Sequence, residues 1–78
     1  MKIEILGTGC SKCKTLFEVT KEAVGKSGKF VEIIKVEDIQ KIMDYGVMST
    51  PALVIDGEVK ISGRVPNAQE ILEMIKGS

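Results

Sequence analysis

Lys2-Ile3-Glu4-Ile5-Leu6-Gly7-Thr8-Gly9-Cys10-Ser11-Lys12-Cys13 is the stretch that decides how this chain folds. Lys2 to Leu6 mixes polar–apolar alternation with a closing Ile5-Leu6 run, which predicts a strand buried on at least one face. Gly7-Thr8-Gly9 then breaks it. From Cys13 onward the apolar or semi-apolar positions fall at Cys13, Leu16, Phe17, Thr20, Ala23 and Val24. That is three-and-four spacing on one helical face, ending near Gly25. The two cysteines are thus expected where a strand gives way to a helix, Cys10 at the helix N-terminus and Cys13 one turn in.

That position has chemical consequences. A disulfide between Cys10 and Cys13 would close so short a loop that chain entropy assigns it only about 2 kcal/mol, so the pair is a poor structural staple. In a reducing cytosol such close pairs are redox-active or metal-binding, the bland alternative being two unrelated buried thiols. The chain has two cysteines and no histidine, too few ligands for a closed zinc site. At a helix N-terminus, unpaired N–H groups and the positive end of the dipole favour thiolate over thiol. Lys12 and Lys14 add positive charge and are read as pKa-tuning residues, although solvent screens them. Gly7 and Gly9 leave the Cys10 sulfur approachable, whereas Cys13 sits on the apolar face and is expected to be more buried. That asymmetry suits dithiol exchange: Cys10 attacks a disulfide and Cys13 resolves the mixed disulfide.

Seventy-eight residues allow one domain, residues 1–78. With 44% hydrophobic and 28% charged residues the composition is that of a globular chain rather than a disordered one. Eleven basic and eleven acidic residues leave no excess charge to neutralise phosphates, and Phe17, Phe30 and Tyr45 are the only aromatics. Nucleic acid is therefore not expected as a partner. No stretch approaches a membrane span, and the N-terminus lacks a signal-peptide apolar run, so a cytoplasmic monomer is expected.

Beyond the first helix, Gly25-Lys26-Ser27-Gly28-Lys29 is a loop. Its Gly-Lys-Ser lacks the spaced glycine and the following helix of a phosphate-binding loop. Phe30-Val31-Glu32-Ile33-Ile34-Lys35-Val36 predicts a second strand, and Ile39, Ile42 and Met43 a short helix closing at Gly46. Ala52–Ile55 and Glu58–Ile61, separated by Asp56-Gly57, predict a two-residue hairpin. Asn67, with Glu70 three residues on, reads as an N-cap and capping box for a final helix carrying Ala68, Ile71, Leu72 and Ile75. The order β-α-β-α-β-β-α predicts an α/β fold: a mixed four-stranded sheet with helices on both faces. Met43 and Met74 are assigned to core filling. Met48, just before Ser49-Thr50-Pro51, is a candidate for an apolar rim beside the cysteines. Thr50-Pro51 itself is either a plain strand-edge proline or a cis peptide; composition does not choose.

A Cys-x-x-Cys after the first strand of such a chain, with Thr50-Pro51 opening the hairpin and Gly63 after it, resembles the thioredoxin-like fold. Lys2–Cys13 together with Thr50–Gly57 is similar to the small thioredoxin-like redox-active disulfide proteins of archaea and bacteria. The resemblance covers essentially the whole chain. It implies a thiol–disulfide oxidoreductase with Cys10 as nucleophile and Cys13 as resolving thiol, needing no cofactor beyond that dithiol. It also implies a cis Pro51 beside the disulfide, with Met48, Thr50, Pro51 and Gly63 at the substrate-binding surface. Its partners would be protein disulfides and an upstream reductase. The chain departs from larger relatives in having Gly9 before the first cysteine and Ser11-Lys12 between the two. Gly63-Arg64-Val65-Pro66-Asn67 lacks the acidic pair with which glutaredoxins hold glutathione, although Arg64 offers a carboxylate site. Glu4 stands six residues before Cys10, the offset of the buried acid in thioredoxins; its alternatives are a proton relay or a solvent-facing strand charge.

The same Gly7–Cys13 stretch also looks like the loop of small copper-carrying domains, where two thiolates hold a soft ion such as Cu(I). Those domains place a methionine where Thr8 stands and end in a strand, and they give no role to Thr50-Pro51. Cu(I) carriage is the alternative to dithiol exchange.

Overall fold

Alternation along the first strand sorts the core into two halves in the computed structural model, which describes residues 1–8 and 11–77. The elements are β1 (Lys2–Leu6), α1 (Ser11–Ser27), β2 (Glu32–Val36), α2 (Ile39–Asp44), β3 (Ala52–Ile55), β4 (Glu58–Ser62) and α3 (Ala68–Lys76). The order and types are those expected. The strands form one sheet, β2-β1-β3-β4. β1 pairs parallel with β2 and antiparallel with β3, and β3 pairs antiparallel with β4.

Ile3 and Ile5 point to one face, with Leu53, Ile55 and Ile61, and meet Leu16 and Ala23 of α1 and Ile71, Leu72 and Ile75 of α3. Leu6 points to the other, with Val36, Ala52 and Val54, and meets Ile42 of α2. β3 is buried at all four positions because both halves use it, which is why it reads as an unbroken apolar run. Thr20, buried on α1, satisfies its hydroxyl by donating to the Leu16 carbonyl at 2.7 Å.

The hairpin turns through Asp56 and Gly57, both at positive φ (48° and 85°), the left-handed pair that a twisted two-residue hairpin requires. Asp56 also ties the hairpin to β1: its N–H donates to the Lys2 carbonyl at 2.8 Å, and its carboxylate accepts from the Lys2 N–H at 2.9 Å.

Several expectations need correction. The second strand starts at Glu32 rather than Phe30, and Phe30 is 97% exposed; it lies outside the ladder, so alternation no longer turns it toward a core. Met43 is 65% exposed and does not fill the core, because Ile42 alone is the buried residue of the six-residue α2. Met74, by contrast, packs against the α1/α3 half. α1 runs two residues past Gly25 to Ser27. The capping box forms only by half: the Asn67 side chain accepts from the Glu70 N–H at 2.9 Å, while the Glu70 carboxylate turns to Arg64 at 2.9 Å.

The cap is still worth testing, since α3 supplies three buried side chains to the larger half of the core. Asn67→Ala is expected to lower unfolding free energy by about 1 kcal/mol, read from urea denaturation. An unchanged midpoint would show that the cap contributes nothing.

Candidate functional site

The parallel pairing of β1 with β2 and its antiparallel pairing with β3 bring three chain ends to one edge of the sheet. These are the C-terminal ends of β1 and β2 and the N-terminal end of β3, where Leu6 lies between Val36 and Ala52. Gly7 continues that edge, donating its N–H to the Val36 carbonyl at 3.0 Å. Cys13, in the first turn of α1, is 7% exposed, in keeping with its expected burial. The Cys10 position, and with it the placement of that sulfur at the helix N-terminus, lies outside the described residues.

Cys13 packs directly on Gly7. A Cβ built on Gly7 would overlap the Cys13 sulfur and lie 3.1 Å from the Cys13 Cβ. The sequence marked Gly7 as a strand breaker, whereas the structure uses its missing side chain to let the thiol-bearing helix approach the sheet. Beside this contact is a cleft of about 130 Å³ lined by Ile5, Gly7, Cys13, Lys14, Lys35 and Glu37.

The Thr50-Pro51 peptide is cis. Pro51 is buried while Thr50 and Met48 are exposed, Met48 at 97%. Gly63 belongs to the same place. Its N–H donates to the Pro51 carbonyl at 2.9 Å, and a Cβ on it would stand 3.1 Å from that of Ser49. Its φ of +78° is a conformation that favours glycine. The structure thus brings Pro51 and Gly63 together, and β3 carries Pro51 to the sheet edge that holds Gly7.

Of the other residues singled out, Lys12 and Lys14 are both exposed, and only Lys14 lines the cleft. Glu4 is neither a solvent-facing charge nor a neighbour of Cys13. It stands on the α2 face between Ile34 and Val54, accepts a hydrogen bond from the Tyr45 hydroxyl, and pairs with Lys2 at 3.4 Å. The sheet separates it from the Cys13 side. The hydrogen bond to Glu4 holds the Tyr45 phenol above its ordinary pKa, because that bond needs the proton; burial and the carboxylate charge act in the same direction. Tyr45 also caps α2, its N–H reaching the Lys41 and Ile42 carbonyls. Arg64 is engaged by Glu70, which raises the guanidinium pKa and lowers that of the carboxyl. Any carboxylate site at Arg64 would have to compete with that pair.

Sequence reasoning missed two residues that line the cleft with Cys13: Lys35 and Glu37. Lys35 and Glu37 stand more than twenty residues away along the chain, and only the register of β2 against β1 delivers them. Lys35 is opposite Ile5 in that register, and its ammonium lies 4.3 Å from the centroid of the Phe17 ring.

Comparison with known proteins agrees with this geometry over almost the whole chain. A family model described as a thioredoxin domain matches residues 1–76. A thioredoxin of Methanothermobacter thermautotrophicus is 40% identical over 75 residues, covering 96% of this chain and 97% of that protein. A thioredoxin of Methanocaldococcus jannaschii is 39% identical over 74 residues, covering 95% of this chain and 85% of that one. A second thioredoxin of that organism is 32% identical over 80 residues.

The Gly7 contact makes a direct prediction. Gly7→Ala forces its methyl into the Cys13 sulfur and should destabilise the fold by about 1–3 kcal/mol, with Gly7→Val worse, as measured by urea unfolding. Wild-type stability in both variants would refute the close packing.

Proposed function

The chain belongs to the thioredoxin family, and on that footing we propose that it carries out thiol–disulfide exchange on protein substrates through a Cys10/Cys13 dithiol. The observation that carries this reading is the edge of the sheet where a buried Cys13 packs on Gly7 and where Pro51 leads into β3. The Cys10 thiolate attacks one sulfur of a substrate disulfide. A Cys10–substrate disulfide forms and the second substrate sulfur leaves as a thiolate that takes up a proton. Cys13 then loses its proton and attacks the Cys10 sulfur. The Cys10–Cys13 bond forms, the first substrate sulfur departs as thiol, and two electrons have passed from the dithiol to the substrate. An upstream reductase of dithiol or flavin-dithiol type restores the dithiol.

In this reading an extended substrate segment docks at Met48, Thr50, Pro51 and Gly63, with the Thr50 backbone as its hydrogen-bonding partner. The exposure of Met48 and Thr50 beside a buried Pro51 supports that role. Lys12 and Lys14 lend positive potential to the approach of the substrate and to the thiolates. The protein acts as a single domain in the cytoplasm, with no cofactor beyond its dithiol. No helix among the described residues is long and apolar enough to cross a membrane. The Cu(I)-carrier alternative loses support, because its β-α-β-β-α-β order differs from the β-α-β-α-β-β-α order here, in which a helix separates the second and third strands.

The two cysteines are predicted to fail differently. With a protein disulfide and a chemical reductant, Cys10→Ser should abolish exchange, whereas Cys13→Ser should accumulate a covalent adduct with substrate, seen by non-reducing gel and intact mass. Wild-type rates in both variants would end the oxidoreductase reading.

A further inference from the structure

Glu4 occupies an unusual place for a carboxylate. β1 lies between β2 and β3, and Glu4 stands between Ile34 and Val54 with its side chain only 14% exposed. Taking a carboxylate out of water beside apolar neighbours is costly unless its oxygens find partners. Here they do: Oε2 accepts from the Tyr45 hydroxyl, and Oε1 pairs with Lys2 at 3.4 Å. The same bond holds the phenol above its ordinary pKa, so the hydroxyl stays a donor through the neutral range. A largely buried ionic contact is weak evidence for stability, because well-packed apolar side chains of similar volume often serve as well. Its use is better sought in what it holds.

Tyr45 holds the end of α2. That helix has six residues and a single buried side chain, Ile42, so Tyr45 supplies its second hold on the sheet. The Tyr45 side chain packs against the α2 half of the core, and its N–H closes the last turn onto the Lys41 and Ile42 carbonyls. Gly46, at a φ of +75°, donates its N–H to the Met43 carbonyl at 2.9 Å and turns the chain out of the helix. Val47 packs against the same half of the core as Tyr45, and the next residue, Met48, is fully in solvent. The far end of the segment is held separately. There Gly63 donates its N–H to the Pro51 carbonyl at 2.9 Å, and Ser49 lies against Gly63. Residues 46–50 are thus suspended between two holds, one at Tyr45 and one at Pro51.

We propose that Tyr45 and Glu4 are positioning residues for the docking loop: their phenol–carboxylate contact fixes the end of α2 against β1 and so sets where Met48, Ser49 and Thr50 stand to receive an extended substrate segment. Neither side chain touches a reacting sulfur in this scheme. Glu4 lies on the far face of the sheet from Cys13, so the pair acts on docking and leaves the exchange step alone. A protein substrate, which must dock, depends on the pair; a small disulfide, which reaches the dithiol without docking, does not. This consequence for substrates rests on the thiol–disulfide reading given above, whereas the hold on the loop does not need it.

The test compares steady-state exchange by the full chain on insulin, a protein disulfide, and on cystine, a small one, with dithiothreitol as reductant. Tyr45→Phe should raise KM for insulin about fivefold, what one ordinary hydrogen bond contributes, with kcat and the rate on cystine unchanged. Glu4→Leu should do the same while leaving the urea midpoint at or above that of the wild type. Glu4→Gln keeps an acceptor for the phenol and should restore most of the wild-type KM, and Tyr45→Phe should add nothing in the Glu4→Leu background. By amide hydrogen exchange, the Gly63 N–H should open faster in Tyr45→Phe and Glu4→Leu, relative to the Asp56 N–H at the other end of the hairpin. The proposal is overturned by a wild-type KM in Tyr45→Phe, by equal losses on insulin and cystine, by Glu4→Gln as impaired as Glu4→Leu, or by a urea midpoint of Glu4→Leu that falls as KM rises. A wild-type chain inactive on both disulfides would remove the exchange reading alone. The hold on the loop would then be decided by the amide comparison, and equal Gly63 exchange in all variants would refute it.

Discussion

Everything at the candidate site depends on how closely α1 approaches the end of β1, and a single missing side chain sets that distance. Gly7 has no Cβ, so the Cys13 sulfur rests against backbone. The same glycine bonds back to Val36 of β2, so one residue joins the helix that carries the thiol to two strands. The cleft and the burial of Cys13 follow from that contact. Close approach of backbone to a functional group is one of the few tasks for which glycine has no substitute.

The sheet then acts as a partition. Alternate residues of β1 serve different chemistry: Ile3 and Ile5 support the α1 and α3 side, while Glu4 and Leu6 face α2. Glu4 is taken up by Tyr45 and Lys2 in a contact that anchors the end of α2. From Tyr45 the chain leads through Val47 and Met48 to the cis Thr50-Pro51 peptide, and Gly63 closes this loop from the β4 side. The two halves of the core thus support two different parts of the site, one behind Cys13 and the other behind the Pro51 loop.

Much of this was legible from local pattern. The period-two strands, the three-and-four spacing of α1 and α3, Asp56-Gly57 and the Asn67 cap are short-range signals, and each specified its element. What local pattern missed depended on register or on the absence of atoms. Whether Glu4 faces Cys13 is decided by strand parity, which an offset of six residues does not encode. Lys35 reads as an ordinary strand polar residue until β2 is laid against β1 opposite Ile5. Gly7 reads as punctuation until Cys13 is placed upon it. Met43 followed the apolar spacing of α2 but is left exposed, and Phe30 continued an apolar run beyond the point where pairing stops.

The central claim is that Cys10 and Cys13 work as one two-electron couple. It is tested most directly by equilibrating the wild-type chain across a series of glutathione redox buffers, quenching with an alkylating agent and reading intact mass. The account predicts a single transition in which both thiols vanish together into an intramolecular disulfide, with the mass of two hydrogens lost. Two separate transitions, each adding glutathione to one cysteine, or no internal disulfide at any poise, would contradict it.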